Sequence, residues 1–179
     1  MNNTGVKTFW KIERFNWYDG ELKKDFEQTF ENLISDEGLE HLLDVLHKGG
    51  TAITAWKVAL FESNTTIDGS ETYAVPVYTE STVYDEANRV AWTPGTISTT
   101  GNVSSVDNSA SQASFTFNGS VTIYGGALVG GGTGAATKGD TAGGGTLYAA
   151  AQFSSPVGVI SGTVVKVQVT STAQDTAIA

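Results

Sequence analysis

The sequence predicts a mainly β protein: an antiparallel β-sandwich, jelly-roll-like or Ig-like, preceded by a small N-terminal β-hairpin and one α-helix. Three observations point there. Short segments with period-2 alternation recur between residues 56 and 169, separated by Gly, Asn, Asp and Ser. Only residues 35–48 carry a clean helical period. Charge is unevenly spread: in a chain of 179 residues the first 50 hold 6 of 10 Lys and Arg and 10 of 19 Asp and Glu. After Thr93 only Lys138, Lys166, Asp107, Asp140 and Asp175 are charged. The shift divides the chain at Gly49-Gly50 into a hairpin-plus-helix unit, 1–50, and a β-sandwich body, 51–179.

The front unit opens on an aromatic run, residues 8–18. Trp10 and Ile12 share one face under period-2 alternation and so do Phe15 and Trp17, with a slip between the pairs that a bulge absorbs. Asp19-Gly20 follows, the pair favoured where both central residues of a type I′ turn need φ > 0. Leu22, Phe26 and Phe30 on the return arm lie four apart, a spacing that also suits a helix; the hairpin is preferred. In the helix, Leu39, Leu42, Leu43 and Leu46 fall at i, i+3, i+4 and i+7. Ser35 caps it, Asp36 and Glu37 complement its positive end, His47 and Lys48 its negative end, and Gly49 suits the left-handed C′ position. One helix cannot bury such a stripe alone, so it is expected to pack on the hairpin or the β body.

Beyond Gly50, strands are expected at 56–61, 89–92, 113–117, 121–124 continuing through 127–129, 146–153 and 164–169. That gives seven or eight short strands. No 20–50-residue period recurs, so a solenoid is not expected. Residues 130–145 are too polar and glycine-rich for a core and are expected as an exposed loop, or an arm ordered by a neighbour.

Composition narrows the function. The net charge of −9 argues against binding a nucleic-acid backbone. Charged residues are only 16%, against roughly 25% in an average soluble domain. There is no cysteine, hence no disulfide, thiolate ligand or cysteine nucleophile. No apolar run approaches the length of a membrane span, and residues 1–5 have no basic-then-apolar leader, so neither membrane nor secretion is expected. The Asn-x-Ser/Thr triplets at Asn2, Asn64, Asn102 and Asn118 are then accidents of composition.

The constellations that suggest chemistry are weak. The glycine run 130–140 lacks the Gly-Lys-Ser/Thr order and following helix of a phosphate loop: Lys138 precedes Gly139 and Asp140 follows. His41 and His47 are six apart on a helix and cannot share a metal. No Gly-x-Ser-x-Gly elbow is present. Asp36-Glu37 and Asp85-Glu86 are adjacent pairs that point to different faces, and a glycosidase pair would need distant residues such as Glu62, Glu80 and Asp85. No catalytic residue, metal or cofactor is expected. Protein contact is: through the front aromatics Phe9, Trp10, Phe15, Trp17 and Tyr18, and through Gly131, Gly134 and Lys138 of the loop.

Several stretches resemble a family of tailed-bacteriophage virion proteins, the small accessory head proteins that decorate or cement the capsid shell. They are residues 31–46 around Ser35-Asp36-Glu37-Gly38-Leu39, and Trp56-Lys57-Val58-Ala59-Leu60-Phe61-Glu62. Tyr84-Asp85-Glu86-Ala87-Asn88-Arg89-Val90-Ala91-Trp92 and residues 108–117 follow, then Ile123-Tyr124-Gly125-Gly126-Ala127-Leu128-Val129 and Gly144-Gly145-Thr146-Leu147-Tyr148. The resemblance spans about residues 31–170 and is one of style and order. It implies a non-enzymatic virion protein made in the bacterial host cytoplasm. As a homotrimer it would lie on the major capsid protein at the capsid surface and stabilise joints between subunits. Similar β modules in tail and fibre proteins leave a receptor- or glycan-binding role as the alternative. The resemblance assigns no site residue.

Overall fold

A computed structural model describes residues 5–175. The ends of the two sequence divisions, 1–4 and 176–179, and the Asn2 triplet lie outside the described residues. Among the described residues the expected sandwich forms from ten strands and one short α-helix. Strand β1 (Gly5–Tyr18) turns back into β2 (Glu21–Leu33), and α1 (Asp36–Leu43) follows. Then come β3 (Trp56–Phe61), β4 (Val90–Trp92), β5 (Ser98–Thr100), β6 (Val103–Asp107) and β7 (Ala113–Thr116). The set closes with β8 (Val121–Gly130), β9 (Thr146–Val159) and β10 (Val164–Gln174). One sheet runs β2-β1-β10-β6-β5, with β7 also on β10; the other runs β4-β3-β8-β9.

The hairpin forms because its turn is built for it: Asp19 and Gly20 both take positive φ, 53° and 80°. The slip seen in the apolar pattern is a register shift between Arg14 and Phe15. Leu22, Phe26 and Phe30 are strand residues, not a helix. Edge strand β2 carries Glu21, Lys23, Lys24, Asp25 and Glu27, which discourage another chain from pairing there. That accounts for much of the charge in the first 50 residues. The composition changes at Gly49-Gly50, but the packing does not. Strand β1 pairs with β10 from Gly5↔Gln174 to Phe15↔Val164, and Trp10 and Ile12 share one core with Phe115, Ile123 and Val167.

Strands β6 and β7 lie end to end along one side of β10, missed in part by the sequence because β6 is polar and only half-buried. Buried Asn108 fills the gap between them. Its Oδ1 accepts from the Val169 N–H at 2.8 Å and its Nδ2 donates to the Val167 carbonyl at 3.1 Å, replacing the missing rungs. On the opposite seam, Gln28 Nε2 donates to the Ser155 carbonyl at 2.7 Å and Asn32 donates to the Ala150 carbonyl. Side chains of β2 thereby cover the free edge of β9.

The outer face of the second sheet is lined by Ala59, Ala127, Val129 and Ala150, small enough for other chain to lie flat on it. Tyr73 and Ala135 cover it, one from the long 62–89 connection and the other from the glycine-rich loop. Residues 130–145 thus pack on their own chain.

The helix is shorter than expected. Ser35 caps it, accepting from the Gly38 N–H at 3.1 Å. Asp44–Lys48 continue as a π-helical turn that ends on Gly49 in the left-handed region, φ 74°. Its leucine stripe packs inward only at Leu42. A Cβ at Gly38 would overlap the Tyr148 carbonyl and lie 2.7 Å from Ile34 Cγ2, so the helix docks on β9 through its glycine. Leu42 packs on the core, whereas Leu39, Leu43 and Leu46 are 40%, 57% and 71% exposed.

Candidate functional site

Arg89 and Glu80 form the main buried charge cluster. Arg89 leads into β4, and its Nη2 donates to Glu80 Oε2 at 2.6 Å. Nη1 donates to the Tyr73 hydroxyl at 3.1 Å and the Ala135 carbonyl at 3.1 Å, and Nη2 to the Asp140 carbonyl at 2.8 Å. The Gly139 N–H donates to Glu80 Oε2 at 2.8 Å. Burial opposes the Arg89 charge, but Glu80 and Tyr73 outweigh it and push its pKa up. Burial also raises the Tyr73 hydroxyl. A recess of about 290 Å³ adjoins the cluster, lined by Tyr78, Thr79 and Asp140 among others. The guanidinium is already spent on Glu80, Tyr73 and loop carbonyls. The cluster fastens the 130–145 loop.

Other reactive types are dispersed or engaged. Glu86 accepts from the Thr116 N–H at 3.1 Å and Glu37 from the Tyr73 N–H at 2.8 Å. His41 sits edge-on to Trp56 with ring centres 5.9 Å apart, and His47 is exposed. Among the described residues, no group of three His, Cys, Asp or Glu is placed to hold a metal, and no helix is long and apolar enough to cross a membrane.

The residues expected to make protein contacts divide sharply. Trp10 must be removed from that set: it is fully buried, its Nε1 donating to Thr8 Oγ1 at 3.0 Å and its ring stacked on Phe30. The register of β1 against β10 turns it inward. Phe9 and Phe15 are half-buried beside Lys7 and Lys166, whose ammonium groups lie 5.4 and 5.0 Å from the ring centres. Gly134 is buried and Gly131 half-buried, and Lys138 Nζ donates to the Tyr84 carbonyl at 2.9 Å. Gly134 and Lys138 therefore serve the loop's own attachment.

Trp17 and Tyr18 do reach solvent, at 61% and 47% exposure. They stand at the hairpin tip with exposed Leu22, and Trp17 lies over Gly162 in the β9–β10 turn that also carries exposed Ile160. Asp25 stiffens this end: it accepts from Tyr18 Oη at 2.9 Å, Asn16 Nδ2 at 2.8 Å and Arg14 Nε at 2.9 Å. Burial opposes the Asp25 charge, but these donors outweigh it and hold its pKa below the ordinary carboxylate value.

A second apolar surface, the α1 leucines, lies at the opposite end of β9, since α1 packs against Tyr148 and the tip against Gly162. Sequence reasoning saw the stripe and placed it inside. The signal that locates it outside is Gly38, because a glycine within a helix costs about 1 kcal/mol and marks a close backbone approach.

No protein-family model matches the chain, and no curated protein matches it.

Proposed function

We propose that this chain is a non-enzymatic structural protein of a phage virion. It binds the outside of the capsid shell as a homotrimer and stabilises joints between major capsid protein subunits. The observation that carries this reading is the pair of apolar surfaces at opposite ends of a stiff sandwich. The Trp17–Tyr18 tip, braced by Asp25, supplies an aromatic anchor of the kind that dominates protein interfaces. The buried Arg89–Glu80 pair is spent on holding loops in place, as contact demands and turnover does not. A net charge of −9 keeps free copies apart before they meet the shell.

Quantitative protein analysis of purified virions, with cryo-electron microscopy, tests the reading. The protein should be stoichiometric with a class of sites on the head, and particles lacking it should break at lower temperature or ionic strength. Adding back the wild type should restore them, and Trp17→Ser should not. Absence of the protein from virions overturns the proposal; labelling confined to the tail favours a tail or fibre module that uses Trp17 and Tyr18 on a receptor or glycan.

A further inference from the structure

We infer that the cavity at the α1 end of the sandwich binds a neutral, planar aromatic molecule of about two fused rings carrying one hydroxyl or carbonyl oxygen. The cavity holds about 240 Å³ and lies between the sheets, with Leu128 of β8 and Val106 of β6 in its wall. Leu42 of α1 and Val45 of the π-helical turn close one side. Protein interiors leave few voids larger than a water molecule, so a hole of this size is no ordinary packing defect. Of its lining residues Ala52 is the exposed one and marks the mouth.

The lining selects the occupant. Four rings stand in the wall: His41 edge-on to Trp56 at 5.9 Å, Tyr148 tilted against Trp56 at 5.2 Å, and Trp92. Trp92 is fixed there because its Nε1 donates to the Val169 carbonyl at 3.0 Å. Ring pairs gain more than the area they bury, which favours an aromatic guest over an alkyl one. Among the described residues no Asp, Glu, Lys or Arg lines the cavity, so a charged guest would lose its hydration and find no partner. The wall does offer one polar point. Tyr148, 8% exposed, and Ser171 hold their hydroxyls 3.1 Å apart. One hydroxyl donates to the other, and the second keeps a proton for a guest oxygen. Volume sets the number of rings: a dry cavity of roughly 150 Å³ admits benzene, so about 240 Å³ admits a fused pair.

The test uses 2-naphthol, neutral at pH 7, on the full chain with isotope-labelled Leu and Val methyl groups. Saturable shifts and nuclear Overhauser contacts should appear at Leu42, Val106 and Leu128, with a Kd of about 10 μM to 1 mM for a ligand of that size. Decahydro-2-naphthol, which is not planar, and 2-naphthoate, which is charged, should each bind about tenfold more weakly or worse. Ala52→Phe at the exposed mouth should block entry with an unchanged melting temperature. Ser171→Val should weaken 2-naphthol about fivefold, the loss of one hydrogen bond. Absence of these contacts at about 1 mM 2-naphthol overturns the inference, as do contacts confined to the Trp17–Leu22 tip. So does an Ala52→Phe protein that binds like wild type, or decahydro-2-naphthol bound as tightly as 2-naphthol, since the rings would then select nothing. Virion composition has no bearing on this measurement, so the capsid reading and this one can fail independently.

Discussion

Arg89 Nη2 lies 2.6 Å from Glu80 Oε2, with the two side chains only 3% and 6% exposed. Removing one member of such a pair leaves an uncompensated buried charge, a loss of about 3–5 kcal/mol. Arg89→Ala should lower stability by that amount in urea titration. It should also speed hydrogen exchange at the Thr133, Thr137 and Gly143 amides of the loop. The double replacement Arg89→Leu with Glu80→Leu separates pairing from fastening. A buried ion pair exchanged for apolar residues is often neutral. Here the carbonyls of Ala135 and Asp140 would stay unpaired, so the double variant should remain at least about 2 kcal/mol below wild type. Wild-type stability in the double variant would mean that Arg89 compensates only Glu80.

Gly38→Ala sets two effects against each other. Alanine favours a helix by about 1 kcal/mol over glycine. The new methyl would overlap the Tyr148 carbonyl, and overpacking of that kind costs about 1–3 kcal/mol when the backbone must move. Ser35 is anchored to the same strand by its N–H, which donates to the Tyr148 carbonyl at 3.0 Å, so the helix start has little room to retreat. Net destabilisation is expected, with altered Tyr148 and Trp56 near-ultraviolet signals. A stabilised Gly38→Ala protein would show that the helix docks elsewhere in solution.

The parts of the fold legible in the sequence are those set by neighbours in the chain. The Asp19-Gly20 turn, the Ser35 cap and the slip between Ile12 and Phe15 are local, and each sits where its residues placed it. What escaped depends on distant partners. Whether Trp10 faces in or out follows from its register with Val169, and the order of the glycine loop follows from Arg89, more than 40 residues earlier. The helix face that docks is chosen by a carbonyl on β9, which no hydropathy pattern records. The exposure of Trp17 and Tyr18 follows from their place beside a tight turn, beyond the last β1–β10 pair at Phe15↔Val164.

Asn108→Ala should disrupt the first sheet where β6 gives way to β7. It leaves the Val169 N–H and the Val167 carbonyl without the bonds Asn108 supplies, at about 1–3 kcal/mol each. A loss of about 2–6 kcal/mol is expected, read by thermal or urea unfolding. Asn108→Asp keeps the acceptor but sets a carboxylate against the Val167 carbonyl, so this variant should regain stability on acidification. Equal stability of both variants with wild type would mean that the sheet closes its own gap.

The acid side of the stability curve should bear the mark of Glu13. This carboxylate, 9% exposed, lies 3.0 Å from Lys24 Nζ and 3.2 Å from Lys11 Nζ, and Gln112 Nε2 donates to it at 3.0 Å. Burial alone would raise its pKa, but the bonds from Gln112, Lys24 and Lys11 outweigh burial and lower it from 4.5 to about 2. A carboxyl whose folded pKa is depressed favours the folded state above its unfolded pKa. Its contribution is therefore complete above about pH 5, shrinks as pH falls through 4.5 towards 2, and is gone below that. The whole shift corresponds to on the order of 3 kcal/mol. Asp25 titrates in the same direction, so the wild-type curve alone does not isolate Glu13. The difference from Glu13→Gln does: urea midpoints at pH 7, 4, 3 and 2.5 should converge as acid removes the advantage of the wild type. Parallel curves across that range would mean that Lys11, Lys24 and Gln112 do not hold Glu13 ionised.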